Sequence, residues 1–401
     1  MKRLLAATAA GVVALSSAAA YAVNTDDDRI VIGFAGSTSG WMQAYSQPST
    51  NAALIAIEEI NEKGGLLGKK IEIVFADAKT DRVEGAKAGQ AVIDEGADMV
   101  FVDCDYDYGA PAALAAENAG LISFFLCAES VLAGIEGVGP HSFSTSVLAA
   151  VQGAAIAEWG WNKKGWRSAY ILLDDSIEYD KGICYGFDWM WRKLGGEILG
   201  HDVFKNDDPS IAAQITRIKG LEKQPDIIEL CTYNPGGASA IRQIRAAGID
   251  TPIGLGSSGT GSYWHDCCPG LSEVYIAEQG SIYGDDPNPK VEEFNKKYEA
   301  KFGNRPESQY VYPGYVGVEV WAKAVERAGT VDSDAVVAEL EKFRAEPTLF
   351  GPRTYTSELH HQNQARYLII QIQDQKGSVA DEWTLSEPVP MPVLFGEEYK
   401  Y

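Results

Sequence analysis

Short apolar runs alternate with stretches of helical spacing along the first part of the chain. Residues 29–35 form an apolar run with β-branched residues and a glycine near its exit, which is typical of a buried parallel strand. Apolar residues then recur at three- and four-residue spacing over 53–60 until Gly64 and Gly65 end the pattern, which predicts a helix. The same alternation predicts strands at 70–76, 98–102 and 121–125 and helices at 84–95 and 110–118. This order is the βαβ rhythm of a lobe built on a parallel sheet.

The same rhythm restarts after Phe143 and predicts a second lobe. It places strands at 168–173, 197–204 and 226–230, and helices at 148–159, 185–194 and 211–221. A helical pattern follows over 291–340, and a strand-like run lies at 367–372. Because no stretch rich in proline, glycine or serine separates the halves, we expect an α/β protein of two Rossmann-like lobes with parallel sheets, joined by a hinge.

The first 22 residues have the pattern of a secretory signal peptide. Lys2 and Arg3 precede an apolar run over 4–15, and a small-x-small cleavage pattern lies at 20–22. The alternative is a membrane anchor, but the run is shorter than the about 20 residues that a span needs. We therefore expect export, with cleavage after Ala22.

Composition limits the partners of the chain. It has 401 residues, of which 46% are hydrophobic, so it can bury a sizeable core. With 34 basic and 56 acidic residues, its net charge of −22 repels phosphate backbones, and we expect no nucleic-acid partner. The six cysteines are an even set, which in an exported protein favours disulfides and leaves every pairing open. No CxxC pair occurs and the histidines are scattered, so we expect neither a metal nor a cofactor.

Catalytic motifs are absent or incomplete. The run 256–259 has two serines between glycines but lacks the GxSxG spacing of a nucleophile elbow, which predicts a loop. Gly33 and Gly36 lie at a strand end without a GxGxxG pattern or a Walker lysine. Alternating aspartates at 103–109 look like a calcium loop, but the acid expected at its last position is Leu114. We therefore expect a binding protein and not an enzyme.

Polar and aromatic residues follow the predicted strands, where open α/β sheets bind ligands. These segments are 37–45, 103–108, 127–130, 174–179, 231–234 and 256–262. Asp174 and Asp175 are equally suited to cap the next helix or to contact a ligand. Four aromatic residues in these segments favour cleft lining over core packing, and they are Trp41, Tyr106, Tyr108 and Tyr233.

Several segments together carry a resemblance to a known family. They are Thr38-Ser39-Gly40 with Tyr45, the run 56–68 with Asn61, Gly64, Gly65 and Gly68, the strand 98–102, and Tyr310-Val311 with 315–318. On these residues the mature chain resembles the periplasmic leucine/isoleucine/valine-binding proteins, the type I solute-binding subunits of ABC importers. The resemblance implies a periplasmic monomer that closes over a small molecule at a hinge and works with a membrane permease. It implies lobe 1 at 28–146 plus 279–350 and lobe 2 at 147–278 plus 351–401.

The resemblance also implies a ligand shell and shows where this chain departs from the family. The implied positions, with neighbouring aromatics, are Trp41, Tyr45, Asp105, Tyr106, Ala128, Glu129, Tyr233, Ser257, Ser258 and Tyr315. Family members that hold an α-amino acid use hydroxyls near the Asp105 and Glu129 positions for its carboxylate, and an acid near Ser257 for its ammonium. Two acids at the carboxylate end would repel an anion. We therefore predict a neutral or cationic ligand with an aromatic or hydroxylated body, and not a simple branched-chain amino acid.

The family's disulfide cannot form in its usual place, because the position that would pair with Cys104 is Lys79. Cys127 ends what should be a neighbouring strand, so Cys104–Cys127 is the first predicted pair and Cys184–Cys231 the second. The adjacent Cys267 and Cys268 are left, with a strained vicinal ring as one option.

Two other functions stay open at this point. The cleft acids are suited to general acid and base chemistry in a secreted enzyme. A ligand sensor that docks on a signalling receptor instead of a permease would have the same two-lobed architecture.

Overall fold

The computed structural model describes residues 29–397 and 399, so the predicted signal peptide lies outside the described residues. The strands are β1 Arg29–Ala35, β2 Lys70–Phe75, β3 Met99–Val102, β4 Ile122–Phe125, β5 Ser142–Ser144, β6 Ser168–Asp174, β7 Glu197–Phe204, β8 Ile227–Cys231, β9 Ile253–Leu255, β10 Val274–Glu278, β11 Arg366–Gln373 and β12 Lys376–Thr384. The helices are α1 Gln43–Glu62, α2 Arg82–Asp94, α3 Tyr106–Asn118, α4 Ala149–Trp159, α5 Glu178–Lys193, α6 Ala212–Lys219, α7 Gly236–Ala246, α8 Pro289–Phe302, α9 Val311–Ala328, α10 Ser333–Leu340 and α11 Met391–Leu394.

Two sheets form the two lobes, as the alternating pattern predicts. The first has the order β2-β1-β3-β4-β5 and is parallel throughout. The second has the order β12-β11-β10-β9-β8-β6-β7, and its strands from β10 to β7 are parallel. In both sheets the carboxyl ends of the central strands open toward the loops that carry the candidate site residues.

An antiparallel hairpin extends the second sheet, and sequence reasoning missed it. β11 pairs antiparallel with β10 and with β12. Asp374 and Gln375 join β11 to β12 with positive φ of 50° and 63°, which is the backbone of a two-residue type I′ turn. The turn was missed because it lacks the Asn-Gly or Asp-Gly pair that usually marks it.

The core of the first lobe draws on two distant parts of the chain. Ile32 and Phe101 from the sheet share one apolar cluster with Phe294 of α8 and with Val316 and Trp321 of α9. The chain therefore passes between the lobes after β5, after β10 and again before β11. Three connecting segments are a natural hinge between two bodies.

The run 56–68 that resembles the family has a clear structural reason. The side chain of Asn61 accepts a hydrogen bond from the Ile71 amide at 2.8 Å and donates one to the Ile71 carbonyl at 2.9 Å. This pair fixes the end of α1 to β2. Gly65 lies between them with a φ of 86°, and a Cβ there would sit 2.0 Å from the Lys69 carbonyl oxygen. Only glycine fits this turn.

Within residues 29–397 and 399, no helix combines the length and hydropathy that a membrane span requires.

Candidate functional site

The strand-end loops of both lobes meet around one cavity. It has a volume of about 340 Å³, counting the space that opens to solvent. Its walls are Trp41, Met42, Tyr45, Cys104, Asp105, Cys127, Glu129 and Tyr310 from the first lobe, with Ile177, Tyr179, Tyr233 and Ser258 from the second lobe. Aromatic walls with a few convergent polar groups are typical of a small-molecule site.

The structure places most of the predicted site residues at this cavity. Six of them line it, and they are Trp41, Tyr45, Asp105, Glu129, Tyr233 and Ser258. Ser257 lies behind the wall, fully buried, where its hydroxyl donates to Glu129 Oε2 at 2.6 Å.

Three predicted site residues lie elsewhere. Tyr106 packs against an apolar cluster on the sheet of the first lobe, and Ala128 is buried with its carbonyl accepting from Ser144 Oγ at 2.6 Å. Tyr315 lies in the second turn of α9, where its hydroxyl donates to Glu59 Oε2 at 2.9 Å. Its helix turns it toward α1 and α8, away from the cleft.

Tyr310 takes the place at the cavity that the resemblance implied for Tyr315. It directly precedes α9, and its ring centre lies 5.4 Å from that of Tyr45. Sequence reasoning also missed Tyr179 and Ile177, which lie where α5 begins. The available signal for Tyr179 was its position in the loop after the sixth strand, and for Tyr310 its place in the motif that resembles the family.

The two lobes are in contact across the cavity. The Tyr45 hydroxyl donates to the Asn234 carbonyl and accepts from the Asn234 amide, both at 3.2 Å. The Glu178 amide donates to Asp107 Oδ2 at 2.9 Å, which joins the beginnings of α3 and α5. With the bond from Ser257 to Glu129, these contacts describe a closed cleft.

Aromatic rings form a continuous wall on one side. The Trp41 ring lies 4.9 Å from that of Tyr233, at an interplanar angle of 30°, and thus bridges the lobes. Tyr108 meets the same indole edge-on at 5.4 Å. Aromatic pairs in such geometries add stabilisation beyond their buried area.

Glu129 is the most unusual group at the cavity. Its side chain is only 3% exposed, and Oε2 accepts from Ser257 Oγ at 2.6 Å and from the Tyr310 hydroxyl at 3.2 Å. Oε1 is buried and has no hydrogen-bond partner among the described residues. Burial raises the pKa of Glu129 to about 7, because desolvation outweighs these hydrogen bonds.

We expect Glu129→Gln to stabilise the unliganded protein at alkaline pH. Since the folded pKa lies above the usual value of 4.5, the carboxyl contributes stability that is full at acid pH and is lost as the pH rises through about 7. The glutamine side chain stays neutral, so the variant should gain up to about 3 kcal/mol at about pH 8 and nothing at about pH 4. Calorimetric melting at both pH values measures this, with the exposed Glu95→Gln as control. An equal gain at both pH values would contradict the assignment.

Asp105 is the second carboxyl on the wall. It caps α3, and its side chain accepts from the Asp107 amide at 2.8 Å. Burial, followed by the negative charge of Asp107, holds the pKa of Asp105 well above its ordinary value. Asp103, two residues earlier, ties neighbouring segments of the first lobe together, because it accepts from the hydroxyls of Ser37 and Ser46.

Neither Asp174 nor Asp175 caps α5, and neither is among the residues that line the cavity. Asp174 accepts from Ser176 Oγ at 2.5 Å and from Thr232 Oγ1 at 2.7 Å, so it ties two strand-end loops together. Asp175 pairs with Lys205 at 3.0 Å. The residue at the N-cap of α5 is Ile177, which makes no side-chain cap.

The structure brings two cysteine pairs to disulfide distance. Cys104 and Cys127 are joined with a Cα–Cα distance of 4.5 Å and form part of the cavity wall. Cys184 and Cys231 are joined at 5.8 Å and connect α5 to β8. Cys267 and Cys268 are not joined in the structure, although their sulfur atoms lie 2.6 Å apart. Adjacent Cα atoms across a trans peptide are about 3.8 Å apart, closer than an unstrained disulfide allows.

Among the described residues, no group of three or more histidine, cysteine or acidic side chains is arranged to hold a metal ion. The cavity offers carboxyls, hydroxyls and aromatic faces, which are groups that recognise a ligand.

A family model described as periplasmic binding protein matches residues 29–378. The chain belongs to the periplasmic binding protein family. It is therefore a substrate-binding protein of the ABC transporter type, and family membership implies a periplasmic location. Such proteins bind small ligands and work with membrane permeases.

Individual relatives extend over nearly the whole chain. The Leu/Ile/Val-binding protein BraC3 of Rhizobium johnstonii is 26% identical over 351 residues, which are 84% of this chain and 91% of that protein. The substrate-binding protein LivJ of Streptococcus pneumoniae, solved with isoleucine, is 24% identical with a TM-score of 0.78. The match covers 89% of this chain and 100% of the LivJ chain. A solute-binding protein of Rhodopseudomonas palustris, solved with 3,4-dihydroxybenzoic acid, is 20% identical with a TM-score of 0.75. The match covers 91% of this chain and 99% of that protein.

Proposed function

We propose that this protein captures a small polar or aromatic solute between its lobes and delivers it to the permease of an ABC importer. The observation that supports this most is the cavity itself, to which both lobes contribute side chains. Contacts such as the one from Tyr45 to Asn234 can exist only when the lobes meet. A ligand that touches both walls therefore favours the closed state, and closure is the signal that a permease can read.

The ligand in this proposal is not a simple branched-chain amino acid. BraC3 and LivJ are named for such ligands or solved with one, but the cavity of this chain has the carboxyls of Asp105 and Glu129 on its wall. An ionised carboxyl about 4 Å from an anionic ligand group repels it by about 4 kcal/mol at an effective dielectric constant of about 20. Among the described residues, no lysine, arginine or histidine lines the cavity to offset this repulsion. The protein from Rhodopseudomonas palustris was solved with an aromatic acid, so relatives of this fold differ in the molecules with which they are found.

Calorimetric titration with leucine, isoleucine and valine tests the ligand class. We expect no measurable heat of binding from any of the three at about pH 8, where most of the Glu129 carboxyl is ionised, because each brings an α-carboxylate to the acidic wall. The same titration at a pH low enough to neutralise both cavity carboxyls serves as the internal control. Micromolar binding of any of the three at about pH 8 would contradict the proposed ligand class while leaving the receptor role intact.

A further inference from the structure

The cavity wall carries carboxyl groups without any cationic side chain. Asp105 and Glu129 both line it, and none of the described residues on the wall is a lysine, arginine or histidine. Glu129 Oε1 is fully buried and has no hydrogen-bond partner among the described residues. Buried carboxyls are usually paired or hydrogen-bonded, so an unsatisfied oxygen on a cavity wall is free to accept from a ligand.

A third buried acid lies behind Asp105. Asp180 belongs to the first turn of α5, is fully buried, and neither of its carboxyl oxygens has a hydrogen-bond partner in the part of the chain that the structure describes. Burial raises the pKa of Asp180, and the negative charges of Asp174, Asp105 and Asp107 raise it further. The nearby cations are already paired: Arg82 with Asp107 at 2.9 Å, and Lys181 with Glu178 at 2.8 Å.

Closing the cleft brings these acids toward one another. The beginning of α3, with Asp105 and Asp107, belongs to the first lobe, and the beginning of α5, with Glu178 and Asp180, belongs to the second. The bond from the Glu178 amide to Asp107 holds the two helix ends together in the closed cleft. Ionised acids that approach in a medium of low dielectric constant repel one another, so a positive charge between the lobes favours the closed cleft.

The rest of the wall selects an organic cation over a metal ion. Five aromatic side chains line the cavity beside the carboxyls, namely Trp41, Tyr45, Tyr179, Tyr233 and Tyr310. Aromatic faces attract alkylammonium groups, whereas a divalent metal ion needs a shell of oxygen or nitrogen ligands. Within residues 29–397 and 399, no group of three or more metal-ligating side chains is assembled.

We infer that the ligand is a small organic cation, an amine or quaternary ammonium without a carboxylate, held between the aromatic wall and the carboxyls of Asp105 and Glu129. This inference rests on the proposed receptor function and specifies its ligand. The cation supplies the partner that Glu129 Oε1 lacks and offsets the repulsion between the acidic ends of α3 and α5.

Titration of the protein with matched pairs of charged and neutral compounds tests directly whether the ligand carries a positive charge. Choline is compared with 3,3-dimethyl-1-butanol, which has the same shape without the charge, and benzylamine is compared with benzyl alcohol. We expect at least one cation to bind, with an affinity at least about tenfold above that of its neutral partner. Glycine betaine, which adds a carboxylate to the choline-like head, should bind more weakly than choline.

Two variants that each lose one negative charge distinguish a carboxyl on the cavity wall from one on the protein surface. Asp105→Asn should weaken binding of the cation by about tenfold or more, because it removes one of the two carboxyls at the cavity. Asp94→Asn, at the end of α2 and away from the cavity, should leave the affinity unchanged. Equal effects of the two substitutions would overturn the inference, since a general attraction to an acidic protein would then explain the binding.

The pH dependence of choline binding is a second readout, because choline does not titrate. The groups that face Glu129 are the phenols of Tyr179, Tyr310 and Tyr367, none of which ionises near neutral pH because burial raises the pKa of each. With the pKa of Glu129 at about 7, its ionised fraction rises about tenfold between about pH 6 and pH 8, and affinity should rise with it. The pKa of Asp105 is also raised, by burial and by the neighbouring Asp107, and acts in the same direction. Affinity that stays constant or falls over this range would overturn the inference.

The outcomes distinguish this inference from the receptor function on which it rests. If neutral or anionic compounds bind and close the cleft while the cations do not, the cationic ligand is wrong and the receptor stands. If no compound of any charge binds, both proposals fail.

Discussion

Replacing both Cys184 and Cys231 by alanine should lower the stability of the protein by about 4 kcal/mol. The two cysteines are 47 residues apart in the sequence, and a cross-link that closes a loop of this length removes much conformational entropy from the unfolded chain. Both side chains are fully buried, so the bond also holds α5 against β8 inside the core of the second lobe.

The matched control for this variant is the pair Cys267 and Cys268, which carry free thiols. Replacing both by alanine removes two sulfur atoms without breaking a cross-link, so the loss should be clearly smaller. Denaturation of both double variants under non-reducing conditions measures the difference. Equal losses in the two variants would show that Cys184 and Cys231 are not cross-linked in solution.

Gly314→Ala should destabilise the protein and weaken ligand binding at the same time. A glycine-to-alanine change within a helix normally stabilises by about 1 kcal/mol, because alanine is the better helix former. Here a Cβ on Gly314 would lie 1.9 Å from the Ser49 carbonyl oxygen of α1, well inside contact distance. The helices α1 and α9 must then move apart, at a cost of about 1–3 kcal/mol.

The same displacement reaches the cavity, because α1 carries Tyr45 and Tyr310 directly precedes α9. Their rings are 5.4 Å apart on the cavity wall, so separating the helices widens the site. Glu326→Ala, on the exposed surface of α9, is the control and should change neither property. Melting temperature and ligand affinity together test this, and an alanine variant more stable than the parent would contradict the close packing.

Local patterns predicted central strands such as β3 well because their apolar runs are buried on both faces of a parallel sheet. The strand predicted at 197–204 has the bounds of β7, and the one predicted at 98–102 differs from β3 by one residue. The hairpin of β11 and β12 was missed in part because β12 alternates exposed and half-buried residues at the edge of the sheet, without an apolar run. Edge strands carry less hydrophobic signal than central ones.

The candidate site was predictable in its segments but not in every side chain. Tyr310 and Tyr315 are five residues apart around the start of α9, so they point to different sides of the helix axis. Choosing between them requires the residue at which the helix begins, and helix ends are the least certain part of a sequence-based prediction. Asp174 shows the same limit: its partner Thr232 lies 58 residues away and is brought close only by the pairing of β6 with β8.

The unsatisfied carboxyls could not be inferred from sequence at all. Asp180 and Glu129 have no special spacing, and their significance depends on burial and on the lack of partners among the described residues. Both properties depend on the folded structure and not on the local sequence. The resemblance identified acids at unusual positions, and the structure has Asp105 and Glu129 on the cavity wall.

Small-angle scattering with recovery of the added compound tests the central claim most directly. The protein is measured alone and with saturating choline, benzylamine, 3,4-dihydroxybenzoate or leucine, and each compound is then analysed by mass spectrometry. We expect at least one compound other than leucine to reduce the radius of gyration and to be recovered chemically unchanged. A radius that stays constant with all of them, or a compound that is converted to a product, would contradict a receptor that closes over its ligand without reaction.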